Sequence, residues 1–251
     1  MSVLAVTRLE LRRLFVRPLA WVLGASTLAW LAWNFTLMLG SFLAAQIRLA
    51  ALPDGPGYTD LVAVPLLAKL AELAFLVVPL LSMSALAGER REGRLALLLG
   101  MGLKPSHIVL GKYAALLVWL LAWLALVLAM PLALAHATAI DWGKLAAAAL
   151  GMALLLASLA ALGLACSAVA SHPAIAAAVA LVLTLALMWL NLGAQMAGVD
   201  DGAINWLAMS SHLQPLLRGL VASPDVVWFV LLATVCLALA IRRVAAERER
   251  G

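Results

Sequence analysis

The chain has 251 residues, of which 66% are hydrophobic and only 12% are charged. Together with a mean hydropathy of +1.10, this excludes a soluble domain of that size, because so few charges cannot cover a water-facing surface. The net charge of +5 would suit nucleic-acid binding, but the lysines and arginines flank long apolar runs, where they orient a membrane protein. Composition therefore predicts an integral membrane protein that binds no nucleic acid.

Residues 1–17 have the pattern of an amphipathic helix. Leu4, Leu11 and Phe15 share one helical face, and four arginines flank that face. The pattern predicts a helix lying on the inner leaflet, and a charged tail that only sets topology is the alternative. The apolar run that follows is too long for the hydrophobic region of a secretory signal.

Six apolar runs are long enough to cross a hydrocarbon core of roughly 30 Å as helices. They extend over about 19–44, 62–87, 108–136, 144–170, 173–197 and 225–241. The runs are continuously apolar, whereas the strands of membrane barrels alternate in hydrophobicity. Pro173 begins the fifth run directly after a very short connection and predicts a tight helical hairpin. We expect an all-α polytopic fold in which residues 1–251 form one transmembrane domain.

The basic residues predict the orientation of these helices. If the N-terminus is cytoplasmic, 13 of the 17 lysines and arginines lie on the cytoplasmic side, in agreement with the positive-inside rule. The outer side then holds Arg48, Lys69, Lys144 and Arg218. Six spans return the chain to its starting side, so both termini are predicted to be cytoplasmic.

The segment between the second and third runs is the largest feature predicted to face the cytoplasm. Its first part, residues 89–94, is charged, and residues 95–99 are apolar. Gly100 and Gly102 follow and are typical of a helix end. The pattern predicts a short cytoplasmic helix, and a solvated charged loop is the alternative.

Residues 89–99 read E-R-R-E-G-R-L-A-L-L-L and resemble the cytoplasmic signature of ABC-2 type permeases, the six-helix membrane halves of ABC exporters. In that family E-R-x-x-G-T-L-x-x-L-L precedes a Gly-Lys dipeptide, and here Gly93 and Gly111 are 18 positions apart. The family usually has Thr, Glu and Pro at the positions of Arg94, Ala96 and Gly102. The resemblance implies a coupling helix that receives the motion of an ATP-binding subunit. The residues that it assigns to this coupling are Glu89, Arg90, Glu92, Gly93, Arg94, Leu95, Leu98 and Leu99.

The same resemblance implies the partners of the chain. Two ATP-binding subunits and a second permease, either another copy or a related chain, would assemble with it among the lipids of the bacterial cytoplasmic (inner) membrane. ATP and Mg²⁺ would bind to the partner subunits and no cofactor to this chain. The Gly111-Lys112-Tyr113 stretch is consistent with ATP binding to another subunit, because it lacks the glycine spacing and the hydroxyl of a phosphate-binding loop. We therefore expect a transport subunit that is not itself an enzyme.

A second resemblance lies in the last quarter of the chain. Residues 211–221 and 224–229 are similar to the end of permeases in the branch that includes gliding-motility exporters and the copper-site maturation system of nitrous oxide reductase. A non-transporting role is the alternative function: the same fold would transmit ATPase motion to a motility or maturation assembly, or anchor that assembly. A polar lining favours transport, whereas a sealed apolar interface favours the alternative.

Polar residues inside the predicted spans are candidates for a translocation path, because such groups are costly in lipid. Lys69 and Glu72 share a face of the second span, and Asn191 and Gln195 share a face of the fifth. A snorkelling ion pair and interhelical hydrogen bonding are the respective alternatives. The resemblance implies that these two spans line the central route, and Pro79 predicts a kink in the second.

The outer segment 198–223 is too apolar for free exposure to solvent and predicts short helices on or in the outer leaflet. The resemblance implies a re-entrant element that gates the outer side, to which we assign His212, Arg218 and Gly219. A copper site that joins His212 to Met196 and Met209 is an alternative, since imidazole and thioether suit that metal. No repeated ligand spacing supports it, and no metal site is expected.

Other chemistry has little support in the sequence. Cys166 and Cys236 both lie in apolar runs, which favours buried thiols over a disulfide or a metal cluster. Ser158 and Ser167 lack a recognisable histidine partner motif for intramembrane proteolysis.

Overall fold

The computed structural model describes residues 3–16, 18–49, 55–196, 198 and 202–250. The regular structure in these ranges is helical throughout. The helices are α1 (Val3–Val16), α2 (Pro18–Leu49), a π-helical turn (Thr59–Ala63) that continues into α3 (Val64–Ser82), α4 (Ala87–Arg91), α5 (Arg94–Gly100), α6 (Pro105–Leu132), α7 (Trp142–Val169), α8 (Pro173–Met196), α9 (Gly202–Leu207), α10 (Met209–Leu217) and α11 (Ser223–Arg250).

Six stretches of the described chain are long and apolar enough to cross a membrane; they are α2, the stretch Thr59–Arg91 that contains α3, α6, α7, α8 and α11. The expectation of an all-α fold with six membrane-spanning helices is therefore confirmed. Residues 1, 2 and 17 of the predicted interfacial helix and residue 197 of the fifth predicted span lie outside the described residues.

The boundaries of four spans differ from the hydropathy pattern. Helix α2 continues to Leu49 instead of 44, and α6 extends over Pro105–Leu132 instead of 108–136. The second predicted run, 62–87, contains the end of α3 at Ser82, a turn at 83–86 and the start of α4. This break occurs because the turn finds hydrogen-bond partners on α7, as described below. The last run was expected to end at 241, but α11 continues to Arg250, since the polar residues that follow are good helix formers.

Helix α7 is the centre of the bundle and packs against α3, α6, α8, α10 and α11. Two glycines of α7 let neighbouring helices approach it closely. A Cβ added at Gly163 would lie 2.1 Å from Oγ of Ser82 on α3, and one added at Gly151 would lie 2.8 Å from Cβ of Leu216 on α10. Small residues let membrane helices pack at short range, so these glycines fix α3 and α10 on α7.

The two ends of the bundle carry different structures. Helices α1, α4 and α5 and the last turns of α11 gather at one end, which we call the α4–α5 end. The π-helical turn, α9 and α10 lie at the other, the α9–α10 end. There the Tyr58 hydroxyl donates a hydrogen bond to the Pro131 carbonyl oxygen at 3.2 Å, and Lys144 Nζ lies 2.7 Å from Asp60 Oδ1.

Candidate functional site

Two glycines shape the α4–α5 segment. Gly93, between α4 and α5, has φ +71°, and Gly102, beyond the end of α5, has φ +77°. Residues with a Cβ adopt such angles at a cost, whereas glycine does not. The glycines therefore set α5 as a separate seven-residue helix, Arg94–Gly100, that ends where the sequence pattern predicts.

A network of four charges, two of them buried and two partly buried, connects α4 to the bundle. Glu89 is only 2% exposed and Lys112 only 4%. Lys112 Nζ lies 2.9 Å from Glu89 Oε2 and 3.0 Å from Glu10 Oε1, and Arg13 Nη1 lies 2.7 Å from Glu89 Oε1 and 2.8 Å from Glu10 Oε1. Two carboxylates thus face two cations, as buried charges require. We call these residues the ion network; it joins α1, α4 and α6.

The glycine beside Lys112 explains how α1 reaches this network. A Cβ added at Gly111 would lie 2.7 Å from both Cβ and Cγ1 of Val6 and 3.3 Å from the Val3 carbonyl oxygen. Only a glycine lets α1 lie directly on α6 at this level. The Gly-Lys dipeptide therefore has two structural roles. Gly111 lets α1 pack closely on α6, and Lys112 places a cation between Glu10 and Glu89.

Arg90 binds α4 to the ends of two long helices. Its guanidinium donates hydrogen bonds to the carbonyl oxygens of Ala170 at 2.5 Å and Ala168 at 2.6 Å, in the last turn of α7 and just beyond it. A cation is favourable there because the last carbonyls of a helix lack intrahelical partners. Nη2 also lies 2.5 Å from Glu247 Oε1 on α11, so Arg90 connects three helices.

Ser167 on α7 holds the turn between α3 and α4. Its Oγ accepts hydrogen bonds from the backbone N–H groups of Leu86 at 3.1 Å and Ala87 at 3.0 Å. It donates one to the Met83 carbonyl oxygen at 2.9 Å. The buried backbone groups of the turn are thus satisfied, which allows α3 to end at Ser82 inside an apolar run.

The apolar side chains of α5 divide between two faces. Leu95 and Leu99 are buried in a cluster with Ile108 of α6 and Val244 of α11. On the opposite face, Leu97 is 70% and Met101 67% exposed. Ala96 and Gly100 are exposed as well. We call these four residues, Ala96, Leu97, Gly100 and Met101, the exposed α5 face.

The residues predicted to couple to an ATPase therefore have different environments. Glu89, Leu95 and Leu99 are buried within the chain, and Arg90, Arg94 and Leu98 are partly buried. Glu92 and Gly93 are exposed, and Glu92 forms an ion pair with Arg94. The buried members join the segment to the bundle, and the outward surface consists of Glu92, Gly93 and the exposed α5 face.

Sequence reasoning missed four residues that organise this end of the molecule, which are Glu10, Arg13, Lys112 and Ser167. One signal was available, because Glu10 is the only acidic residue of the amphipathic segment 1–17. An isolated carboxylate among arginines indicates a specific partner. Nothing in the sequence pairs Ser167 with residues about 80 positions earlier, since that contact depends on how α7 packs.

The predicted path residues form two local pairs. Lys69 Nζ lies 2.8 Å from Glu72 Oε2, with side chains 41% and 58% exposed. Because α3 ends at Ser82, this pair lies near the middle of the helix, roughly 15 Å from Thr59 at 1.5 Å per residue. Pro79 is buried inside α3.

On α8, Gln195 Nε2 donates a hydrogen bond to Asn191 Oδ1 at 2.8 Å. Asn191 Nδ2 in turn donates one to Ser211 Oγ on α10 at 3.1 Å. The α8 pair therefore reaches the α9–α10 end. No described contact joins it to the Lys69–Glu72 pair of α3.

His212 organises the α9–α10 end. Its Nδ1 lies 2.7 Å from Asp225 Oδ1 and its Nε2 2.9 Å from the Trp206 carbonyl oxygen, and its ring stacks on Trp228 with centroids 4.9 Å apart. Both ring nitrogens thus lie within hydrogen-bond distance of an oxygen, which fixes the orientation of the ring. The His212–Asp225 pair ties α10 to the start of α11.

Gly219 has φ +91° and follows α10 against Lys144, and Arg218 is exposed beside it. Met209 is buried, whereas Met196 is 82% exposed. Within the described ranges, no group of three histidine, cysteine or acidic side chains could hold a metal ion. Cys166 and Cys236 are buried free thiols.

The comparison with protein families agrees with this architecture. Residues 54–242, well over half of the chain, match the family described as ABC-2 family transporter protein. The matched region runs from just before α3 into α11 and includes α4, α5 and the Gly-Lys dipeptide. No individual curated protein matches the chain. The chain belongs to the ABC-2 transporter family, whose permeases work with ABC ATP-binding subunits, and it is a multi-pass membrane component of such a transporter.

Proposed function

We propose that the chain is one permease half of an ABC-2 exporter. It pairs with a second copy or a related permease, and two ATP-binding subunits dock at the α4–α5 end and bind ATP and Mg²⁺. That end faces the cytoplasm of a bacterial cell, so the α9–α10 end faces outward. The observation that carries the proposal is the α4–α5 segment itself, which exposes apolar side chains while its buried residues connect it to α1, α6, α7 and α11.

The exposed α5 face is suited to docking another protein. Leu97 and Met101 are exposed, and so are Arg91 and Glu92 in the same α4–α5 segment. Charged neighbours keep this surface at the water-facing edge of the membrane, where an apolar patch marks a protein contact. We therefore assign the ATPase contact to Glu92, Gly93 and the exposed α5 face. We assign force transmission to the buried Glu89, Leu95 and Leu99 and the partly buried Arg90.

The Lys69–Glu72 pair favours a polar route between two permease halves. Charged side chains in spanning helices face a bundle interior or a water-filled cavity, because contact with lipid is costly. In a single chain this pair is about half exposed in the middle of α3. A second half placed over this surface would enclose the pair, and the Asn191–Gln195 pair would border the outer part of the same route.

The mechanism follows from a difference in the affinity of the ATP-binding subunits for ATP between two arrangements of the permease. ATP-bound, closed ATPase subunits favour one arrangement of the α4–α5 segments and nucleotide-free subunits favour another, so nucleotide shifts the permease between inward and outward openings. Pro79 offers a flexing point in α3. The His212–Asp225 pair, with Arg218 and Gly219 beside it, forms the outer gate.

The test is to co-express the chain with each ATP-binding subunit encoded near it and to purify the chain by a tag. We expect an ATP-binding subunit to co-purify with the native chain and to be lost from the variant Leu97→Glu/Met101→Glu. The matched control is Leu220→Glu/Val221→Glu, an exposed apolar pair at the opposite end, which should retain the subunit. A native chain that purifies alone would overturn the proposal, and so would equal retention by both variants.

A second readout separates transport from the non-transporting alternative. In proteoliposomes that contain the complex, exporter function predicts ATP turnover that responds to a transported small molecule or lipid and declines with Lys69→Met/Glu72→Met. Turnover that responds only to a protein partner, and is indifferent to this double substitution, would replace transport with the transmission of force to an assembly. The branch of motility and copper-maturation permeases, which residues 211–221 and 224–229 resemble, would then be favoured.

A further inference from the structure

An apolar groove of about 840 Å³ runs along the outside of the bundle between α8 and α11, with α7 as its floor. Both walls pack on α7 but scarcely touch each other. The floor includes Ala165 and Cys166, and exposed apolar side chains such as Val179 on α8 and Leu239 on α11 form the walls. The volume lies in the range of roughly 300–1,000 Å³ that is typical of ligand sites.

The groove has one polar end. Arg242 and Arg243 line it beside Ser171, where α7 gives way to α8 at the α4–α5 end of the bundle. Arg243 lies seven residues from Cys236, which is the groove-lining residue of α11 farthest from it, and this corresponds to roughly 10 Å of helix. A ligand would therefore place a polar group at the arginines and an apolar part along the remaining length.

The charge of this end is uncompensated. No acidic residue is among those that line the groove, and Glu247, one turn beyond Arg243, is bound through Oε1 to Arg90 instead. The Nε of Arg243 is buried and has no hydrogen-bond partner among the described residues. Buried polar groups are usually paired, so this nitrogen indicates an acceptor supplied by a ligand.

We propose that this groove binds an anionic phospholipid from the leaflet at the α4–α5 end, with its phosphate on Arg242 and Arg243 and an acyl chain between α8 and α11. Guanidinium groups bind phosphate through paired hydrogen bonds, and a headgroup with net negative charge complements two arginines without a nearby carboxylate. The groove opens sideways between two spanning helices, where lipid is the surrounding solvent. The proposal is independent of whether the chain transports a substrate.

The experiment places the purified full chain in nanodiscs of equal parts phosphatidylglycerol and phosphatidylcholine, extracts it into mild detergent, and measures the phospholipid retained per chain by mass spectrometry. We expect at least a fivefold excess of phosphatidylglycerol on the native protein. Arg242→Gln/Arg243→Gln should remove this preference. The control Arg8→Gln/Arg12→Gln removes two arginines from α1, away from the groove, and should keep it.

A second variant tests the apolar part while leaving the arginines in place. Val179→Trp puts a large side chain into the groove from an exposed position, and should lower the retained lipid severalfold with an unchanged elution volume and melting temperature. Equal lipid retention by the arginine variant and its control would overturn the proposal. A change of oligomeric state in Val179→Trp without loss of lipid would also overturn it, because a second copy of the chain would then cover the groove.

Discussion

Lys112 on α6 and Glu89 on α4 form an ion pair of 2.9 Å between two side chains that are each almost completely buried. Glu10 and Arg13 of α1 complete the network, so the first helix of the chain takes part in holding the α4–α5 segment. Force applied to the exposed α5 face would therefore reach α1 and α6 as well as α7 and α11.

Replacing Lys112 with methionine should be strongly destabilising. The change leaves the buried Glu89 and the partly buried Glu10 carboxylates with only Arg13 as a counter-ion, and breaking a buried pair in this way costs about 3–5 kcal/mol. The measurement is the thermal unfolding of the purified protein. Lys104→Met, an exposed position at the same end, is the control, and adding Glu10→Gln to Lys112→Met should restore part of the loss. Equal melting temperatures for Lys112→Met and Lys104→Met would contradict the role of the network.

Enlarging Gly111 should displace α1 from α6. In Gly111→Ala the new Cβ meets Val6 at 2.7 Å, and overpacking of this kind costs about 1–3 kcal/mol. We expect a cysteine pair engineered between α1 and α6 to cross-link less efficiently in this variant. Val6→Gly should relieve the clash, whereas Gly40→Ala, which meets nothing within 4 Å, should leave the cross-link unchanged. An undiminished cross-link in Gly111→Ala would show that α1 does not lie on α6 in this way.

Gly93→Ala should strain the joint between α4 and α5. The positive φ of +71° is unfavourable for any residue with a Cβ, at a cost of about 1–2 kcal/mol. We expect a lower melting temperature and weaker retention of the ATP-binding subunit. Gly100→Ala is the comparison, since it has open space and no positive φ. If the two alanine variants are equally stable, the left-handed joint is not needed.

Ser167→Ala should cost about 2 kcal/mol or more, because it leaves buried backbone groups of the 83–86 turn without a partner. Ser158 is the matched control on the same helix. It is also fully buried, but its Oγ bonds to the Leu155 carbonyl oxygen within α7. Denaturant or thermal unfolding should separate the two variants by at least 1 kcal/mol, and a smaller effect at Ser167 than at Ser158 would reject the assigned role.

The His212–Asp225 pair should behave as a coupled unit. His212→Leu and Asp225→Leu each leave one partner buried and polar, whereas the double variant removes both, so a double-mutant cycle should give a coupling of about 1–3 kcal/mol. Unfolding measurements on the two single variants and the double variant supply the cycle. Arg218→Gln, which changes an exposed neighbour, should have little effect. Additive losses at His212 and Asp225 would mean that no such pair forms.

Much of the architecture could be predicted from the hydropathy of the sequence. The length and continuity of the apolar runs predicted six spanning helices, because a bilayer requires about 20 apolar residues per helix. The apolar run 95–99, followed by Gly100 and Gly102, predicted a short helix after the charged stretch, since glycine favours helix ends. These properties are local, so they can be read from neighbouring residues.

Other features were decided only by the tertiary structure. Hydropathy extended the second span to 87, but Ser167 supplies hydrogen bonds that let α3 end at Ser82. The resemblance assigned Glu89 to coupling with an ATP-binding subunit, and the structure buries its carboxylate between Arg13 and Lys112. In both cases the partner lies tens of residues away in the chain. The free energy of a buried polar group depends on such partners, and only the packing of the helices determines which residues they are.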